Sequence, residues 1–180
     1  MTIYSSTFAE RLQDSWDRQQ TLIEGNVLTS LLTVAGFEPI EYNRPSRMDD
    51  ISGIDLWVST PASAVPVALR DKGTSSLKYN DFTMTKTLRS GREGEFWTSR
   101  ASLYVFTYWQ EDKPVLARLV NMFLFLPAAR EGQIAHKESR NNRNGQTFAA
   151  FDWDLMDPYI MSTWRSKDDR TGSGLVSWDY

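Results

Sequence analysis

Cysteine is absent from the 180-residue chain, and histidine occurs once, at His136. Without thiols there is neither a disulfide framework nor a zinc ribbon, and one imidazole cannot build a multi-histidine metal site. Serine or cysteine hydrolysis with a histidine base would rest on His136 alone. Long apolar runs are missing too. The longest, Met122 to Ala129, is too short to span a bilayer and is interrupted by Pro127. The first basic residue, Arg11, is followed by no apolar stretch of the kind a secretory signal needs. No membrane association is expected, and the cytoplasm is the expected compartment.

What is present describes one globular domain: 41% hydrophobic, 13% aromatic and 24% charged residues. Residues 1–165 are expected to form it, with 166–180 a weakly ordered tail. The net charge of −3 gives no global attraction to nucleic acid or to anionic lipid. Its distribution is uneven. Residues 70–100 carry seven basic side chains (Arg70, Lys72, Lys78, Lys86, Arg89, Arg92, Arg100) against four acidic ones (Asp71, Asp81, Glu93, Glu95), leaving 13 basic and 19 acidic elsewhere. Such a segment suits either local polyanion binding or an ordinary solvated loop.

Thr7 and Glu10 have capping-box spacing, and Phe8, Leu12, Trp16, Ile23, Val27 and Leu31 recur at helical steps apart from a polar gap at Gln19-Gln20. This predicts one long amphipathic helix, or two in line, ending at Ala35-Gly36-Phe37. Phe37–Tyr42 reads as a short edge strand. Gly53–Val58 and Val65–Arg70 read as a hairpin across Thr60–Ser63, and Asp81–Met84 as a further strand. Leu103–Trp109 and Val115–Leu126 form a second hairpin around Gln110–Pro114, the second strand buried on both faces. Arg130–Gln146 reads as a surface loop or short helix and Phe148–Leu155 as a last strand. The order predicts an α/β or α+β domain with a mixed central sheet flanked by the N-terminal helix.

Three residues stand out chemically. Glu24 precedes Leu28 by four and Leu31 by seven residues, which places it at the edge of the helix's apolar face; a rim carboxylate reaching water is the plain alternative. Asp55 lies between Ile54 and Leu56 in a strand, where aspartate is disfavoured, so either metal ligation or a structural hydrogen-bonding role must account for it. Arg70 alternates onto the face opposite Val65, Val67 and Leu69, where it would meet Asp55, and Lys72 follows two residues on. His136 sits near a run of polar and basic residues, Lys137 to Asn144, suited to phosphate contact or to simple solvation. Trp97, near Arg92 and Arg100, is the tryptophan placed for base stacking.

A helix bearing Glu24 and ending at Ala35-Gly36-Phe37, then Gly53-Ile54-Asp55 entering a strand, then an apolar strand ending in Arg70, resembles the restriction-endonuclease-like PD-(D/E)xK nuclease superfamily. Archaeal Holliday-junction resolvases and many phage nucleases belong to it. Lys78–Met84, Glu95-Phe96 and Ala101–Phe106 are also similar to small phage- or plasmid-type members, so the resemblance spans roughly residues 20–110. It implies a restriction-endonuclease-like fold, Mg²⁺ or Mn²⁺ as cofactor, and DNA as substrate. Glu24 matches the helix glutamate, Asp55 the metal-binding aspartate, and Arg70 the position of the lysine. The second strand carboxylate should fall two residues before the lysine, where this chain has Ala68. Asp71, Asp81 or Glu95 would replace it only if the chain folds back.

Two readings follow. In one, a Mg²⁺-dependent DNA nuclease or nuclease-like processing protein holds metal with Glu24, Asp55 and Asp71, stabilises charge with Arg70, and contacts nucleic acid through Lys72, Lys78, Arg92 and Trp97. Arginine stays protonated, so a base role does not survive the exchange for lysine. In the other, the same scaffold with a decayed site acts as a protein-binding inhibitor or interaction module. A purely structural virion or scaffold protein also suits the aromatic content, and a homodimer is compatible with either reading.

Overall fold

The structure, a computed structural model, describes residues 8–44, 52–142 and 144–166, with side chains of the first helix from residue 16 onward. The expected cap at Thr7 and nearly all of the expected tail lie outside the described residues. The architecture is mixed α+β: two N-terminal helices, a six-stranded mixed sheet, a smaller antiparallel sheet on the other side, and short helices between the strands.

The helical segment is α1 (Phe8–Glu24) and α2 (Val27–Val34). Gly25 and Asn26 separate them, Asn26 adopting left-handed φ of 56° that breaks the helical path. α2 ends where the sequence places the stop. Gly36 has φ of 85°, the Phe37 N–H donates to Leu32 O, and the Gly36 N–H donates to Thr33 O, the two bonds of a Schellman cap.

The large sheet runs β1 (Glu41–Asn43), β2 (Leu56–Ser59), β3 (Ala64–Gly73), β5 (Leu103–Gln110), β6 (Lys113–Asn121), β9 (Ile160–Arg165). β3 and β5 are parallel and all other neighbours antiparallel. The crossover between β3 and β5 contains a 3-10 segment (Thr74–Tyr79), β4 (Asp81–Thr87) and the short α3 (Glu95–Thr98). β4 pairs with β8 (Thr147–Asp152), which pairs with β7 (Lys137–Arg140), forming the second sheet.

One face of the large sheet buries Val58, Val67, Val105 and Leu119 under Leu28, Leu31 and Leu32 of α2. The other face buries Tyr104, Phe106 and Val120 under Phe82 and Phe151 of the second sheet. Phe82 lies at the centre of this second core, its ring centroid 5.2–5.5 Å from those of Phe106, Phe125 and Trp153. These tilted and edge-on pairings add to the burial itself.

Two boundaries differ from the sequence expectation for physical reasons. The apolar run 115–126 is not one strand: β6 ends at Asn121, whose side chain accepts the Leu124 N–H and starts α4 (Met122–Arg130). Burial of both segments hides the change of period. β9 lies in the interval after Leu155 that carried no assignment, because its partly exposed edge position gives a weak alternation. A short α5 (Trp153–Met156) follows β8.

Candidate functional site

β3 outruns β2, so among the described residues its edge beyond Val67 has no partner strand on that side, and Asp55 fills the first place. The Asp55 N–H donates to Val67 O, and the Leu69 N–H donates to Asp55 Oδ2 at 2.7 Å. Asp55 thus continues the ladder with its side chain, the structural alternative the sequence left open. Gly53, at φ of 72°, makes the turn that delivers it, and packs against Ser99.

Strand alternation sends Arg70 to the side of Tyr104, as expected, and there it meets two carboxylates. Nη1 donates to Asp55 Oδ2 at 3.0 Å and to Leu69 O at 2.6 Å. Nε donates to Glu95 Oε1 at 2.6 Å, and Nη2 pairs with the same oxygen. The guanidinium carbon lies 5.2 Å from the Tyr104 ring centroid. Tyr104 donates its single hydroxyl proton to Glu95 Oε1 at 2.6 Å, since an ionised carboxylate only accepts; Ser99 Oγ, 2.8 Å away, is then the donor to Tyr104.

Glu95 reaches this place because α3 is pressed against β4. A Cβ at Gly94 would lie 2.5 Å from Thr85 O, so only glycine permits the approach. The side chains of Arg70, Asp55 and Glu95 retain 28%, 32% and 19% exposure. Burial pushes the Asp55 carboxyl above its usual value, against the opposing pull of Arg70 and the Leu69 N–H. Burial works against the Arg70 charge, but Glu95, Tyr104 and Asp55 outweigh it and hold the guanidinium more firmly protonated. Burial and Glu95 push the Tyr104 hydroxyl far up, so it stays a neutral donor.

The remaining expected site residues lie elsewhere. Glu24 is exposed at the end of α1 and accepts from Gln20 Nε2 at 2.8 Å. Its inward placement assumed a helix continuous with Leu28 and Leu31, and the break at Gly25-Asn26 removes that phase relation. Asp71 alternates to the opposite face from Arg70, where Trp109 Nε1 donates to Oδ1 at 2.9 Å and Arg18 lies 3.9 Å from Oδ2. Burial raises its carboxyl too, against the Trp109 bond. Ala68 is wholly buried in the core beside its strand partner Tyr104, not at an open site. Of the three carboxylates offered as replacements for one at Ala68, Glu95 is the one that reaches Arg70; Asp81 pairs with Lys72 at 3.3 Å.

Lys78 lies over the Tyr79 ring at 4.9 Å, and Arg92 is exposed on the turn before α3. Trp97 is 41% exposed, with Lys86 Nζ 5.9 Å from its ring and Arg130 Nη2 donating to its carbonyl at 3.1 Å. His136 is mostly buried against Phe151, its Nε2 3.6 Å from Glu138 Oε1. Sequence reading missed Glu95 as a certain partner, and Tyr104 and Ser99 altogether. Gly94 next to Glu95 was the available signal.

These residues do not fit a divalent cation. Mg²⁺ requires carboxylate oxygens open to it and to water. Here the Arg70 fork lies between Asp55 and Glu95, while Glu24 and Asp71 are bonded elsewhere. Among the described residues no three acidic or histidine side chains converge as a metal-binding group. Arg70 itself is largely spent: Nε–H, both Nη1 protons and one Nη2 proton are bonded, leaving one Nη2 proton for any ligand. Compared with protein-family models, with curated proteins and with solved structures, the chain matches none.

Proposed function

We propose that this chain is a non-hydrolytic binding module on a nuclease-like scaffold. The observation that carries the reading is the closed Asp55–Arg70–Glu95 cluster. Asp55, just before β2, and Arg70 in β3, the residues that the resemblance matches to a nuclease aspartate and lysine, neutralise one another instead of facing a phosphate. A guanidinium already bonded to two carboxylates supplies little further stabilisation to a developing phosphoryl charge. The excess of acidic side chains outside residues 70–100 suits a protein partner better than a polyanion.

The test is incubation of the full chain with supercoiled, single-stranded and branched DNA in Mg²⁺ and in Mn²⁺. The expected result is no cleavage. Cleavage that disappears in Asp55→Asn would overturn the reading and restore the nuclease. A second reading, DNA binding without cleavage, draws on exposed Trp97 beside Lys86 and Arg130. It predicts a mobility shift of single-stranded DNA at low salt that is lost in Trp97→Ala.

A further inference from the structure

Arg118 lies in the middle of β6, two strands from Arg70 on the same face of the large sheet. It is partly buried, and its guanidinium carbon lies 4.3 Å from the centroid of the Trp153 ring. That contact satisfies no N–H group. Among the described residues the Arg118 fork has neither a hydrogen-bond acceptor nor an ion-pair partner, whereas the Arg70 fork is largely bonded. None of the Arg118 nitrogens is sealed from solvent, so a ligand can reach them.

The surroundings supply more donors and no close acceptor. Burial holds the Arg118 guanidinium below its ordinary value; Tyr108 pulls the other way, Arg165 repels it, and the pull of Asp157 and Asp154 does not restore it. Those two aspartates act across space and form no ion pair with it. In the β6–β9 register Arg118 opposes Thr163 and Leu116 opposes Arg165, so both guanidinium groups and the exposed Thr163 share one face at the sheet's edge. A further donor stands on the β5 side. The Tyr108 hydroxyl accepts from Trp153 Nε1 at 3.0 Å, and its own proton has no acceptor among the described residues although Tyr108 is 1% exposed. Trp153 therefore touches both Arg118 and Tyr108, which brings the two donors to one place. Donors without acceptors complement a ligand that only accepts, and the arginine fork matches a planar carboxylate through two parallel bonds. Asp154 and Asp157 oppose a second negative charge, so a carboxylate fits better than a phosphate dianion.

We infer that Arg118 seats a carboxylate ligand, its fork the bidentate donor, with the Tyr108 hydroxyl and Arg165 beside it. A free small carboxylate and a glutamate or aspartate side chain of a protein share this chemistry. The inference goes beyond the binding-module reading and makes no use of the Asp55–Arg70–Glu95 cluster.

The experiment follows the side-chain Nε–H signals of Arg118 and Arg165 and the Trp153 indole N–H in the ¹⁵N-labelled full chain. It is titrated with sodium acetate, with the capped peptide Ac-Gly-Glu-Gly-NH2 and its glutamine counterpart, and with sodium phosphate, against sodium chloride at matched ionic strength. Acetate and the glutamate peptide should shift the Arg118 signal saturably. The glutamine peptide should bind at least about tenfold more weakly, as loss of a charge-assisted pair implies, and phosphate no more tightly than acetate. Tighter binding of the glutamate peptide than of acetate assigns the site to a protein partner, and the reverse to a free carboxylate; both support the inference. Arg118→Lys keeps the charge without the fork and should weaken acetate about fivefold. Arg165→Gln, an exposed change, should weaken it about twofold. An Arg118 signal that moves no more with acetate than with chloride, equal effects of the glutamate and glutamine peptides, or tighter binding of phosphate overturns the inference, and these readings need no variant to fold. DNA cleavage, which decides the non-hydrolytic reading, leaves this result untouched.

Discussion

Replacing Glu95 by Gln and Arg70 by Met, singly and together, measures whether the three charges act as a unit. Glu95→Gln keeps an oxygen for Tyr104 but removes the charge from the two bonds that Arg70 makes with Glu95 Oε1. Breaking a fully buried pair costs about 3–5 kcal/mol, and the residual 19–32% exposure of these side chains reduces this to about 2 kcal/mol for Glu95→Gln. Arg70→Met is worse, because it leaves Asp55 and Glu95 facing each other without a cation; about 3 kcal/mol is expected. In the double variant that repulsion is gone, so its cost should stay near about 3 kcal/mol instead of the sum of about 5, a coupling of about 2 kcal/mol. Urea unfolding followed by tryptophan fluorescence gives all three values, provided the slopes agree. Additivity within about 0.5 kcal/mol would refute the idea of a closed cluster, since independent sites behave that way.

Other consequences are equally checkable. Gly94→Ala must push α3 away from Thr85 O, so it should cost about 2 kcal/mol or more and displace Glu95, visible as a changed Tyr104 environment in near-UV circular dichroism. Thr107 carries a buried hydroxyl with no hydrogen-bond partner among the described residues, so Thr107→Val should stabilise the fold by about 1 kcal/mol in the same urea assay. Burial raises Asp71 in the folded state, so over the window above the ordinary aspartate value the folded chain binds more protons than the unfolded one. The stability this gives is present at low pH and lost as pH rises. Relative to Asp71→Asn, whose amide oxygen can still accept from Trp109, the natural chain should therefore lose stability between about pH 3 and about pH 7. A relative gain over that range would contradict the assignment.

How much of this was legible in the sequence depended on whether local rules or long-range contacts decided the outcome. The α2 terminus could be read because Gly36 and Phe37 supply the whole cap within six residues. The β5–β6 hairpin was likewise readable, because Glu111 and Asp112 turn between two strongly β-forming runs. Arg70 was placed on the correct face by alternation alone. Glu24 was misplaced because a two-residue break at Gly25-Asn26 resets helical phase, and a periodicity argument carries no warning of that. Glu95 was legible as a candidate and not as a partner, since its bond to Arg70 spans 25 residues of chain and depends on α3 folding back against β4. β7 escaped notice because all four of its residues are exposed and polar, which is how an edge strand without a buried face appears in sequence.

The central claim is that Arg70 takes the place a cation would need between Asp55 and Glu95. Calorimetric titration of the full chain with Mn²⁺ tests it most directly, in parallel with Asp55→Asn. The expected result is no saturable heat through the low millimolar range in either protein. Saturable Mn²⁺ binding by the natural chain that vanishes in Asp55→Asn would contradict the claim, because it would require the carboxylate to leave Arg70 for the metal.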